Sequence, residues 1–293
     1  MKLLLTLLLS SIYLFAQDGF ISSSDLRKKL DNKNLVLIDT TDIKTFKKAH
    51  IPTAVQTDIS AFRYWVDKTY MLMRSPGDIQ AVARKLGINS NSEVVIYGHN
   101  KDKELLKSSY IALALITNGF TNVTILNGGY GDWDYEYEDD ASAFSTEIKT
   151  PKLGNFTIKH DSKTVIGMEY VKAHIGKTPM IEARPKVYFT GEKKSNGVKR
   201  LGHIPGATSS YWRNKFNVDD TLKSDKKLNK IFLDKQKLDP NKEVIAYCTG
   251  GLEASMNWYV LTQHLHFKNV KIYDASMKQW GNIDSTPMET SKP

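Results

Sequence analysis

The chain contains one cysteine, Cys248, in the stretch VIAYCTGGLEAS at residues 244–255. Its surroundings are those of a reactive sulfur. The apolar run Val244-Ile245-Ala246-Tyr247 reads as a strand that ends at the thiol. Gly250 and Gly251 permit a sharp turn. From Leu252 the apolar residues Met256, Tyr259 and Val260 recur at helical spacing. A thiol between a strand end and a helix start faces a nest of backbone N–H groups and the positive end of a helix dipole. Both favour the thiolate, so a lowered pKa and nucleophilic chemistry are expected. The alternative is a small, inert core residue at a strand end. The paired glycines, which a core cysteine does not need, favour the reactive reading. A single thiol excludes an internal disulfide.

A cysteine phosphatase also holds its thiolate in such a cradle, but it needs an arginine six positions on to grip phosphate. That position is Ala254. His264 and His266 form an HLH pair without a third ligand, a weak metal signal. No metal site and no cofactor are expected. His203 suits a general base by type. It stands, however, in a His-Ile-Pro turn that recurs at His50, far from any thiol, which points to a structural role.

The elements that must position Cys248 occur twice. NLVLIDTTDIKTFKKAHIPTA at 34–54 and TPMIEARPKVYFTGEKKSNGVKRLGHIPGA at 178–207 each start with a short apolar strand closed by an acid, Asp39 or Glu182. Each then reaches His-Ile-Pro. The strands EVVIYG (93–98) and EVIAYC (243–248) follow, then a helical run, then NVTIL (122–126) or NVKIY (269–273). Both halves reach a tryptophan, Trp133 or Trp280, seven residues beyond the last strand. Alternating strands and helices indicate βαβ units, and continuously apolar strands indicate a parallel sheet buried on both faces. The fold class is therefore α/β, with two copies of one domain, each a mainly parallel central sheet flanked by helices. Alignment puts Gly98 where Cys248 stands. The interval from Tyr97 to Phe120 is 23 residues, against 20 from Tyr247 to Phe267, so the first half lacks both the thiol and its loop. The expected organisation is a leader at 1–16, an inactive domain at 17–140, a linker at 141–155 and a catalytic domain at 156–293.

MKLLLTLLLSSIYLFA at 1–16 has a positive start, an apolar centre and small residues near a cleavage point, the pattern of a secretory signal peptide. Export is expected, most simply to a periplasm, with membrane attachment only through an uncleaved leader. The formal charge is +9. The lysines are scattered and no nucleic-acid motif accompanies them, so a solvated basic surface is expected rather than nucleic-acid binding.

Two tandem halves with cysteine only in the second resemble the two-domain rhodaneses, the thiosulfate and mercaptopyruvate sulfurtransferases, over nearly the whole mature chain. LNGGYGDW at 126–133 is similar to the end of the inactive first domain, GHIPGA at 202–207 is a strong marker, and Cys248 to Glu253 occupies the six-residue active loop. The resemblance implies double displacement. Cys248 would take a sulfane sulfur from thiosulfate, polysulfide or a persulfide, hold it as a persulfide on the N–H groups of the loop, and pass it to a nucleophilic acceptor. The alternative is a carrier that hands the sulfur to a partner enzyme. Small sulfur donors and acceptors are the implied partners, with a periplasmic redox protein as a further candidate.

The departures bear on the donor. Thiosulfate-using members carry cations in the loop, whereas this one reads Thr249, Gly250, Gly251, Leu252, Glu253. The family arginine six residues after the acid is replaced by Tyr188, while Arg184, two residues after Glu182, remains and is usually paired with that acid. Glu253 either points inward, opposing a dianionic donor, or caps the outer face of the first helical turn. Arg184, Tyr188 and Arg213 are candidate substrate contacts, Arg213 equally a surface residue. Trp212 and Trp280 suit the site mouth or, more simply, the core.

Overall fold

The structure is a computed structural model that describes residues 18–99 and 102–291. The leader expected at 1–16 lies outside the described residues. In the first half the elements are β1 (Phe20–Ile21), α1 (Ser23–Arg27), β2 (Leu35–Asp39), α2 (Ile43–Phe46), β3 (Val55–Gln56), β4 (Arg63–Val66), β5 (Tyr70–Met73), α3 (Pro76–Lys85), β6 (Glu93–Tyr97), α4 (Asp102–Ile116), β7 (Val123–Leu126) and α5 (Gly129–Tyr137). In the second they are β8 (Val165–Ile166), α6 (Met168–His174), β9 (Met180–Glu182), α7 (Lys186–Phe189), β10 (Thr208–Ser209), α8 (Asp225–Asn229), β11 (Glu243–Tyr247), α9 (Leu252–Tyr259), β12 (Asn269–Tyr273) and α10 (Ser276–Trp280).

The two halves build the same sheet. The first has strand order β1-β7-β6-β2-β3 and the second β8-β12-β11-β9-β10, with every pair parallel. The central strands β6 and β11 carry the runs VVIY and VIAY, and all eight of those side chains are fully buried, as a sheet covered on both faces requires. Register is duplicated too: Asp39 lies opposite Tyr97 and Glu182 opposite Tyr247. The expected fold class is therefore the one observed.

The His-Ile-Pro turns are structural in both halves. His50 stacks on Phe46 at 3.8 Å and His203 on Phe189 at 3.7 Å, each ring Nδ1 within 2.8 Å of that phenylalanine's carbonyl. The N–H of Ile51 donates to the Tyr97 hydroxyl and that of Ile204 to the Tyr247 hydroxyl, both at 3.1 Å. Trp133 and Trp280 are wholly buried and Trp212 nearly so, which settles the choice between core and site mouth in favour of the core.

What the repeat does not predict is the hairpin β4–β5, a separate antiparallel ribbon in the first half. Nor does it predict how the halves meet. Helix α4 lies along α9, with Ser109 Oγ 2.8 Å from Ser255 Oγ. One hydrophobic core includes Leu106, Tyr110 and Leu113 of the first half and Ala254, Met256 and Tyr259 of the second. Apolar residues surround α4 on nearly every side from Leu105 to Leu115, as befits a helix buried between two layers. Residues 144–164 connect the halves without helix or sheet, and Gly154 and Phe156 hydrogen bond to Arg84 and Ile88 of the first half on the way.

Candidate active site

Cys248 directly follows β11, the central strand of the second sheet, and its thiol is fully buried. The Cys248 N–H donates to Ser276 Oγ at 3.0 Å, and the Gly251 N–H points at Sγ from 3.0 Å. Gly251 has φ +91°, and an added Cβ would stand 2.2 Å from Asp274 Oδ1. Glycine is thus required here both by backbone angle and by the close approach of Asp274. The turn releases into α9, as the spacing of Leu252, Met256 and Tyr259 predicts.

The expectation of a lowered thiol pKa is not met. Burial pushes the Cys248 thiol up, and the Glu253 carboxylate raises it further by charge and by hydrogen bonding. The N–H groups of Ala254 and Gly250 pull the other way without prevailing. Burial is the larger cause, and the orientation of Glu253 adds to it. Its Oε2 accepts the Thr249 N–H at 3.3 Å, so the carboxylate turns back over the loop instead of capping the outer face of α9. A carboxylate held beside a desolvated thiol disfavours the thiolate.

A cleft of about 520 Å³ opens over this loop, lined by both halves. The second half contributes Thr249, Gly250, Leu252, Glu253, Tyr188 and Lys278; the hairpin and α4 of the first contribute Arg63, Trp65, Met71 and Leu106. Of the candidate substrate contacts, only Tyr188 reaches the cleft. Arg184 is buried in an ion pair with Glu182 and donates to Ser195 Oγ and the Gly202 carbonyl, so its guanidinium is committed to the scaffold. Arg213 faces Asp220 at 2.7 Å, away from the cleft lining. In the same YWRNKF stretch the buried cation is Lys215, whose Nζ donates to Ser210 O, Ser210 Oγ and Tyr211 O within 2.8 Å. His264 lies between Asp18 and Asp225 at 2.7 and 2.8 Å, and among the described residues no cluster of metal-ligating side chains forms.

Arg63, Trp65, Met71, Leu106 and Lys278 escape sequence reasoning because they come from segments remote from Cys248. Arg63 is almost wholly buried. It donates to the carbonyls of Gly250 and Met71, lies 4.4 Å from the Tyr110 ring and stands 3.6 Å from Asp274 Oδ1. Asp274 Oδ2 in turn accepts the Tyr110 hydroxyl at 2.8 Å and the Met73 N–H at 2.7 Å. The first half therefore clamps the backbone of the thiol loop. Within β4 only Arg63 is buried, while Tyr64 and Trp65 are exposed, the reverse of what residue type suggests.

The position equivalent to Cys248 has no room for sulfur. A Cβ on Gly98 would meet Glu104 Cβ at 2.7 Å and Thr40 Oγ1 at 2.8 Å.

Residues 22–136 and 168–283 each match the rhodanese-like domain family. Among curated proteins, a "Putative thiosulfate sulfurtransferase" of Synechococcus elongatus is 27% identical over 280 residues, covering 92% of this chain and 85% of that protein. The "Sulfur carrier protein TtuD" of Thermus thermophilus is 27% identical over 270 residues, covering 88% of this chain and 91% of its own length. Among solved structures, the anaerobic ergothioneine biosynthesis enzyme from Chlorobium limicola superimposes with a TM-score of 0.80 at 21% identity, over 94% of this chain and 71% of that one. That likeness is one of fold.

Proposed function

Because the chain belongs to the rhodanese-like family, we propose that it is a sulfurtransferase that carries sulfur as a persulfide on Cys248. The observation that carries this reading is the asymmetry of the duplicated site. One central strand ends at a thiol beneath a glycine turn with an N–H aimed at the sulfur, and the other ends at a glycine with no space for a side chain. The curated relatives bear the names of sulfurtransferases and of a sulfur carrier. Thr249, Gly250 and Gly251 shape the turn, and the N–H groups of Gly250 and Gly251 are the donors nearest a persulfide anion, that of Thr249 being taken by Glu253. Glu253 acts on the thiol, and Tyr188 faces the donor from the cleft wall.

The test is an intact-mass spectrum after incubation with thiosulfate, inorganic polysulfide and an organic persulfide, with a Cys248→Ser protein alongside. The expected result is a gain of one sulfur that requires Cys248 and is removed by cyanide as thiocyanate. Absence of any gain from a folded protein with a titratable thiol would falsify the reading.

A carrier without turnover is the second reading. Complete burial of Cys248, which shields a bound sulfur from small nucleophiles, and the carrier name of the Thermus relative favour it. Steady turnover with a small thiol acceptor excludes it; release only in the presence of a partner protein establishes it. A periplasmic redox protein is the partner this reading would look for. Export rests on the leader-like composition of residues 1–16, and fractionation with mass measurement of the mature amino terminus tests it. Among the described residues no helix is long and apolar enough to cross a membrane.

A further inference from the structure

The cleft is larger and more apolar than an inorganic sulfur donor needs. Its volume of about 520 Å³ lies within the ~300–1,000 Å³ of sites for organic ligands. Thiosulfate, a compact ion of sulfur and oxygen, would fill only a fraction of it. Five lining side chains, Trp65, Met71, Leu106, Tyr188 and Leu252, offer carbon surface. Trp65 is about half exposed, an uncommon state for an aromatic of its size, and it stands at the rim of this cleft.

The charges have a direction. Inside, against the thiol, is the Glu253 carboxylate. Of the two lining cations, Arg63 is held by two carbonyls and by Asp274. The other is Lys278 of α10. Its N–H donates to the Thr249 carbonyl at 2.8 Å, which fixes α10 against the loop. Its stem passes over Gly250 and Gly197, and Nζ ends 5.2 Å from the centre of the Trp65 ring. Among the described residues no carboxylate pairs with it. The site is thus negative at the sulfur end, apolar along its walls and positive at the outer end.

We infer that the cleft binds an organic persulfide, R–S–SH, that carries a carboxylate, with Lys278 on the carboxylate and the terminal sulfur toward Cys248. The inference rests on the sulfurtransferase reading and names its donor. Thiosulfate would bring two negative charges to Glu253; the sulfur end of an organic persulfide brings at most one, and none in the R–S–SH form that the thiolate attacks. The step balances without an oxidant. The Cys248 thiol gives its proton to Glu253, and the thiolate sulfur bonds to the terminal sulfur of the donor. The donor S–S bond breaks, its electron pair leaving on R–S⁻. Glu253 returns the proton to R–S⁻, so R–SH departs and Cys248 retains –S–SH.

The experiment measures the initial rate of Cys248 loading, by intact mass, from glutathione persulfide, the uncharged 2-hydroxyethyl persulfide and thiosulfate. It uses the whole protein and its Lys278→Gln and Trp65→Ala variants, with melting curves to confirm folding. Glutathione persulfide is expected to load at least tenfold more efficiently than thiosulfate. Lys278→Gln should raise the half-saturating concentration of glutathione persulfide about fivefold with the limiting loading rate nearly unchanged, the size of one partly exposed ion pair. The same variant should leave the uncharged persulfide unaffected, and Trp65→Ala should weaken both organic donors. The inference is overturned, and the sulfurtransferase reading kept, if thiosulfate loads as efficiently or if Lys278→Gln treats the two organic persulfides alike. Failure of every donor to load Cys248 overturns both.

Discussion

At the scale of single residues, the proposed chemistry turns on Glu253. The residue types around Cys248 suggest an activated thiolate, yet the folded loop brings a carboxylate to the sulfur and buries the thiol. Burial first and this carboxylate second both favour the protonated thiol, and moving the carboxylate away removes one of the two. Glu253→Gln removes the charge with little change of shape. Burial would still hold the thiol pKa up, but the second cause of its rise would be gone. The sign follows directly: with less negative charge beside it, the thiolate forms at lower pH. The rate of iodoacetamide labelling at pH 8 should rise about three- to tenfold, and its pH midpoint should fall. An unchanged midpoint would place Glu253 away from the sulfur in solution. Sequence could name Glu253 but could not orient it, since the first turn of a helix offers an inward and an outward face and either is compatible with an acid.

At the scale of elements, the duplicated sheet was legible because its signal is local. Continuous apolar runs, an acid closing each early strand and the repeated His-Ile-Pro turn each depend on neighbours in sequence. The lack of a thiol at the equivalent strand end was legible in the same way, from Gly98 and the three-residue difference in the connection that follows. The packing explains why a thiol is not easily placed there. Glu104 and Thr40 occupy the volume a side chain at 98 would need. A Gly98→Cys protein should gain no second sulfur carrier: peptide mapping after exposure to polysulfide should place the added sulfur on Cys248 alone. Its melting temperature should fall, since overpacking costs about 1–3 kcal/mol. Persulfide found on the new cysteine would show that the first half retains a working cradle. The hairpin β4–β5 was not legible as a site element. Its strands RYWV and YMLM show no alternation of buried and exposed positions, and nothing local says that Arg63 crosses to a carbonyl 187 residues away in the chain.

At the scale of the whole molecule, the first half takes part in the site without holding sulfur. Arg63, Tyr110 and Met73 converge on Asp274 and on the Gly250 carbonyl, so the loop that carries Cys248 is braced by the half that has no such thiol. Asp274 is fully buried, and burial pushes its carboxyl up while Arg63 opposes that rise. A buried carboxylate of this kind is tolerated only while its partners remain in place, because an unpaired charge in the interior is costly. The continuous core across α4 and α9 makes the same demand of the apolar residues: neither half can unfold without uncovering the other's surface. The two sheets should therefore melt as one unit, giving a single calorimetric transition in place of the two that loosely tethered domains show. Tyr110→Phe isolates the polar brace. It removes one hydroxyl and leaves Asp274 Oδ2 with the Met73 N–H alone, at a cost of about 1–3 kcal/mol. That single transition should shift down by a few degrees and stay single, and sulfur loading of Cys248 should slow although residue 110 belongs to the half without a thiol. Two separated transitions in the parent protein, or a Tyr110→Phe protein that melts lower but loads sulfur at the parent rate, would show that the halves share a surface without sharing the site.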